Sequence, residues 1–207
     1  MNGKIASREY GWKGPEASHC HSYIKEKICE LLPDGKISIL DAGCGNGYLV
    51  GVLKTAGHEV VGIDVSSDGI EIAKKEYPDV QFETRSVYDD LSDLAFDVDA
   101  VISSEVIEHL YSPQSFLENI YSAMKPGAVL ILTTPYHGWL KNTLISLLGK
   151  WDEHHTVAWE GGHIKFFSQK TLSAMLISVG FRNIVFHNAG RVQWLWKSMV
   201  CRAEKPL

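Results

Sequence analysis

The run Ile39-Leu40-Asp41-Ala42-Gly43-Cys44-Gly45-Asn46-Gly47-Tyr48-Leu49 decides how this chain folds. It opens as a short apolar strand, ends that strand on a carboxylate, and then places glycines at 43, 45 and 47. Glycine lets the backbone turn sharply and lets a ligand approach the main chain closely. A dinucleotide loop of the form G-x-G-x-x-G needs its third glycine where this chain has Tyr48. Asp41 would also repel a pyrophosphate, whereas it suits an ammonium group. The loop therefore points to a nucleoside that carries an amino-acid moiety, held at Asp41, Gly43, Cys44 and Gly45.

A second signal follows. His58-Glu59-Val60-Val61-Gly62-Ile63-Asp64 reads as another buried strand ending in an acid, about twenty residues past the first glycine, where a carboxylate can bind both ribose hydroxyls. Together the two stretches resemble the cofactor-binding motifs of the class I S-adenosylmethionine-dependent methyltransferases, and the resemblance runs from about Ile37 to Phe181. It implies an α/β fold, a Rossmann-like three-layer sandwich with a seven-stranded, mostly parallel sheet whose last strand is antiparallel. It implies S-adenosyl-L-methionine as cofactor, with Val65 beside Asp64, Ser86 and Val87 at the adenine, and Ser104 near the methionine end.

Composition fits one globular domain over residues 1–207: the hydrophobic share is 45% and the net charge is −5, without the basic footprint of a protein that grips a long nucleic acid. Cys20, Cys29, Cys44 and Cys201 show neither C-x-x-C spacing nor a disulfide framework, which suits a reducing cytoplasm. Residues 1–14 lack the apolar core of a secretory signal, and no apolar run is long enough to span a bilayer. A soluble, cytoplasmic protein is expected, with membrane contact at most peripheral and the oligomeric state open.

Apolar runs alternate with helix-period segments, the pattern of a parallel sheet covered on both faces. The expected helices are 19–32, 49–56, 67–76, 113–124 and 169–179. Strands are expected at 37–41, 59–63, 80–84, 99–103 and 128–133, with 183–187 and 198–202 completing the sheet. Lys125-Pro126-Gly127 reads as a turn before the fifth strand. Residues 1–35 form an N-terminal lid and helix, and 136–167, too long for a plain connection, form a cap insertion. Within the cap, 138–148 is apolar at helical spacing: a packed helix, a wall for a lipophilic substrate, or a membrane-resting face.

The fourth strand delivers Ser103-Ser104-Glu105-Val106-Ile107-Glu108-His109-Leu110. On a helix, Glu105, Glu108 and His109 would share a face, and two carboxylates with an imidazole suit Mg2+ or another divalent cation. The alternative is acids that only complement a helix N-terminus. The run resembles the corresponding segment of the ubiquinone-biosynthesis O-methyltransferases and of the small-RNA 2′-O-methyltransferases, in which two glutamates and a histidine help bind a divalent cation. His163, in Gly162-His163-Ile164, matches a further histidine of both groups. The resemblance implies four metal ligands, Glu105, Glu108, His109 and His163; without a metal, a near-neutral imidazole of His109 or His163 would be the general base, and Glu105, the third catalytic candidate, could instead contact the methionine moiety. His154 and His155 are candidates to line the cap, and His137 follows the fifth strand where a substrate could reach it. Tyr10-Gly11-Trp12-Lys13-Gly14 is an aromatic segment able to close over the cofactor, and Gln193-Trp194-Leu195-Trp196 places two tryptophans near a sheet edge. The expected activity is O-methylation of a small hydroxylated aromatic or prenylated acceptor. The alternatives are a metal-dependent RNA methyltransferase and a noncatalytic cofactor-binding module.

Overall fold

The computed structural model describes residues 11–91, 94, 97–155 and 161–207, the side chain of Glu153 excepted. Tyr10 and the rest of the lid before residue 11, together with residues 156–160 of the cap, lie outside the described residues. The strands are β1 (Ser38–Ala42), β2 (Glu59–Asp64), β3 (Gln81–Thr84), β4 (Val98–Ser104), β5 (Met124–Pro135), β6 (Arg182–Ala189) and β7 (Ser198–Glu204). They form a seven-stranded sheet in the order β3-β2-β1-β4-β5-β7-β6. β1 through β5 pair in parallel, and β7 runs antiparallel to both β5 and β6.

Alternation along each strand builds two cores. Ile39, Val60, Ile102 and Ile131 face α1 (His21–Leu31), α2 (Tyr48–Thr55) and α3 (Ser67–Glu76), whereas Leu40, Val61, Val101 and Leu130 face α4 (Pro113–Ala123) and α7 (Gln169–Val179). Between β5 and α7 the cap folds α5 (Trp139–Leu147) and α6 (Trp151–His155). The helix ends follow local chemistry. Ser66 caps α3 by accepting from the Gly69 N–H, Pro113 opens α4, and Ser168 with Thr171 closes a reciprocal box at α7. Strand order reverses between β1 and β4, so the crevice at their carboxyl ends is where an open sheet binds ligands.

Two local expectations are corrected. Lys125-Pro126-Gly127 is not a free turn: β5 begins at Met124, which pairs with Val98, and the ladder resumes at Ala100 with Val129 after an irregularity. Gly127, at φ 82°, donates its N–H to the carbonyl of Lys205, so the kink is held by the chain's other end. The segment after β4 is not an α-helix carrying Glu105 with Glu108 and His109. Glu105 sits at φ 55°, and only Ile107–His109 form a 3₁₀ turn. The left-handed backbone at Glu105 interrupts any run of successive i to i−4 bonds, and the tighter turn is what remains. Among the described residues no helix is long and apolar enough to cross a membrane.

Candidate active site

Gly43, Gly45 and Gly47 all take positive φ, at 93°, 54° and 78°, so the loop follows a path that side chains resist. The N–H groups of Gly43 and Cys44 both donate to the Ile63 carbonyl, which ties the loop to β2. The Asp64 carboxylate accepts from Gly45 N at 2.8 Å and from Ser66 N at 2.8 Å, and burial raises its pKa. Asp64 therefore braces the glycine loop from the end of β2. Asp41 is 1% exposed, and neither of its oxygens has a hydrogen-bond partner. Burial, then the charge of Asp64, pushes its pKa up to about 7. A buried carboxylate without a donor fits an ammonium group, so the loop suits the amino-acid end of S-adenosylmethionine.

The remaining cofactor candidates stand around the same crevice. Cys44 is a packing residue, buried against Gly62, with its thiol raised well above the usual range by burial. Val65 is exposed at the end of β2. Ser86 is engaged locally: its N–H donates to Asp89 and its hydroxyl accepts from Tyr88 N. Val87 is buried, and its carbonyl, like that of Asp89, accepts from the Asn119 side chain. Ser104 meets Thr133 at 3.3 Å. Trp12 comes to rest on the loop, its ring filling the space where a Cβ on Gly45 or Gly69 would stand. The backbone N–H of Trp12 donates to Asp68, and the Asn46 side chain donates to the carbonyls of Gly14 and Glu16, so the segment is strapped over the loop.

At the end of β4 the four proposed ligands separate into three and one. Ligand atoms of Glu108, His109 and His163 all lie within 4.8 Å of one another. Glu105 is outside this set and instead accepts from the Thr133 hydroxyl at 2.9 Å. Glu108 is fully buried, with one carboxyl oxygen accepting from Thr134 at 3.0 Å. The other has no hydrogen-bond partner and stands 3.9 Å from His109 Nε2 and 4.0 Å from His163 Nε2. A carbonyl has no proton to give, so the 3.2 Å contact to Gly162 O puts the proton on His109 Nδ1 and leaves Nε2 with its lone pair facing the cluster. Burial raises Glu108 well above the carboxylate range, and the neighbouring Glu105 adds to the shift. Burial lowers His109, and lowers His163 to about 4. Three facing ligand atoms, from a buried glutamate and two half-buried histidines, fit a cation. Thr133 and Thr134, missed from the sequence, buttress the two glutamates. Their signal was a hydroxyl doublet ending the apolar run of β5 on the binding edge of the sheet.

A family of methyltransferase domains matches residues 17–185. The chain belongs to it. Together with its fold, this makes it a class I S-adenosylmethionine-dependent methyltransferase. Among curated proteins, the mitochondrial ubiquinone biosynthesis O-methyltransferase of Homo sapiens is 30% identical over 174 residues, 76% of this chain and 47% of the relative. That of Rattus norvegicus is 38% identical over 109 residues, 49% of this chain and 32% of the relative. The methyltransferase thus spans less than half the length of either relative. A crystal structure of an S-adenosylmethionine-dependent methyltransferase from Archaeoglobus fulgidus superposes with a TM-score of 0.69 at 19% identity, covering 88% of this chain and 91% of the other, a likeness of fold.

Proposed function

We propose that this methyltransferase transfers a methyl group to a hydroxyl of a small aromatic or prenylated acceptor, with a divalent cation held by Glu108, His109 and His163. The observation that carries the reading is the convergence of the buried Glu108 with the half-buried His109 and His163 beyond the carboxyl end of β4, with one Glu108 oxygen lacking a partner. The relatives named for ubiquinone-biosynthesis O-methylation support the acceptor class.

Methyl transfer from sulfonium to oxygen is an in-line displacement, so the protein's work is alignment and the preparation of an oxygen nucleophile. S-adenosylmethionine supplies the activated methyl group, and a cation in the trio would supply Lewis acidity that lowers the acceptor hydroxyl's pKa. Asp41 orients the ammonium end of the donor and Asp64 its ribose. Glu108 contributes the negative charge of the trio, Thr134 fixes that carboxylate, and the Gly162 carbonyl fixes the His109 ring. The strap at Trp12 and the cap at α5 and α6 shield the crevice from water.

The test is S-adenosylhomocysteine release with vicinal dihydroxy phenols and short RNAs, with and without chelator. Chelator-sensitive turnover of a phenol, falling about a hundredfold or more in Glu108→Gln, is expected. Chelator-insensitive turnover removes the cation, and turnover of RNA alone removes the acceptor class. Silence with cofactor bound removes both acceptor classes and leaves another acceptor or a noncatalytic binder.

A further inference from the structure

Beneath the cap lies a buried lysine without a counter-ion. Lys141, on α5, is 6% exposed, and its Nζ donates to the Tyr136 carbonyl at 2.8 Å. That bond uses one of its three N–H donors. Among the described residues no carboxylate forms an ion pair with it. The acid whose charge reaches it is Glu105, already bonded to Thr133, while Arg191 and Lys197 add charge of its own sign. A buried ammonium among cations is costly unless an anion joins it.

Apart from Glu105, the groups described around it are donors. His155 is 7% exposed, and neither of its ring nitrogens has a hydrogen-bond partner. His137 stacks on it with ring centroids 5.9 Å apart, and His137 Nε2 is also buried without a partner. Burial first, and the Lys141 charge second, hold His137 at about 4 and lower His155, so each ring is neutral and keeps one N–H to give. The enclosure adjoins the metal trio, because the charges of His155, His154 and Lys141 reach His163. Lys197 is occupied, bonded to His19 Nε2 at 2.9 Å and lying over the Tyr23 ring. Arg191 stands exposed. Lys141 therefore keeps the spare donors at the buried end.

We infer that this enclosure is an anion subsite for the methyl acceptor, in which Lys141 Nζ holds a carboxylate or phosphate group of the acceptor while a hydroxyl faces Glu108, His109 and His163. The inference rests on the proposed O-methylation and narrows its substrate class. The donor's own carboxylate is a poorer occupant. Its ammonium end belongs at Asp41 on β1, two strands away from β5 across the sheet, or about 10 Å.

The experiment separates these ideas. Binding of benzoate, phenyl phosphate and phenol to the S-adenosylhomocysteine-loaded protein is measured by calorimetry, in wild type, Lys141→Met and Lys141→Arg. The anionic probes are expected to bind about tenfold or more tighter than phenol, the scale of a charge-assisted hydrogen bond. Lys141→Met should lose that preference with unchanged S-adenosylhomocysteine affinity, and Lys141→Arg should regain part of it. Whichever of benzoate and phenyl phosphate binds tighter names the anionic group. No preference in wild type, a preference kept by Lys141→Met, or an equal loss of S-adenosylhomocysteine affinity in that variant each overturns the subsite. The wild-type comparison stands even if Lys141→Met does not fold. Because binding needs no turnover, an anion preference in a protein that methylates neither catechol nor 3,4-dihydroxybenzoate supports the subsite while removing O-methylation of phenols.

Discussion

Asp41 is a buried carboxylate which, as the proposed seat of the cofactor's ammonium group, would couple cofactor binding to protons. Its pKa stands near 7 because burial, and then Asp64, oppose its ionisation. The folded value lies above the unfolded one, so its contribution to stability is complete below about pH 4 and is lost as pH rises toward 7. An ammonium group arriving beside it favours the ionised form, so cofactor binding near pH 6 must expel a proton. Calorimetry in buffers of different ionisation enthalpy should find a release approaching about one proton per site. Asp41→Asn should bind more weakly and release none. Proton release of the same size in that variant would assign the linkage to another group. The importance of Asp41 was legible in the sequence from the acid-then-glycine order. Its lack of a partner was not, because that depends on what β2 and β4 leave unfilled around it.

Elements reveal where periodicity speaks and where it is silent. α3 spans Ser67–Glu76 as expected, since a serine cap, an early acid and late lysines all mark its ends. The turn after β4 departed from expectation because i, i+3, i+4 spacing says which residues share a face only if the backbone is α-helical. Glu105 at φ 55° breaks that condition, and so leaves the trio. The histidine from the far end of the cap joins only through tertiary contacts: the N–H groups of Ile164 and Lys165 both donate to the Glu108 carbonyl. The N-terminal strap likewise depends on a seat made by two glycines far apart in sequence. A methyl group at Gly69 would stand 2.8 Å from the Gly45 carbonyl oxygen and 2.9 Å from the Trp12 ring. Gly69→Ala should therefore unseat the strap, speeding amide exchange at Trp12 about fivefold to thirtyfold for a loss of 1–2 kcal/mol. Unchanged exchange would show that the ring is not held there.

For the whole molecule, the cost of burying polar groups sets its tolerance of acid. His21 is 8% exposed, stacked on Tyr48 at the junction of α1 and α2, with Ser18 at its Nδ1. Burial, then Lys25, lowers its pKa to about 4 from 6.5. Above pH 6.5 the group is neutral folded or unfolded and adds no slope. Between 6.5 and 4 only the unfolded chain takes up the proton, so stability falls through that window by roughly 1–3 kcal/mol. Denaturant unfolding of His21→Gln should show a flatter dependence there, and an unchanged slope would place the acid sensitivity elsewhere. The fold class was legible from alternating strands and helices, because each strand's burial is written in local apolar runs. The buried place of Lys141 was not, since it looks like any solvated helix residue until its Nζ turns back to the Tyr136 carbonyl.

The placement of β7 has a consequence for biosynthesis. Its partners β5 and β6 precede it in the chain, yet it lies between them and pairs with both. While a ribosome is still adding residues 198–204, β5 and β6 can each exist only with an open flank of unpaired amides and carbonyls. Those flanks are the surfaces on which nascent chains stick to one another. The sheet is sealed only as its seventh strand leaves the exit tunnel, so the chain stays within a chaperone's reach until residues 198–204 have emerged.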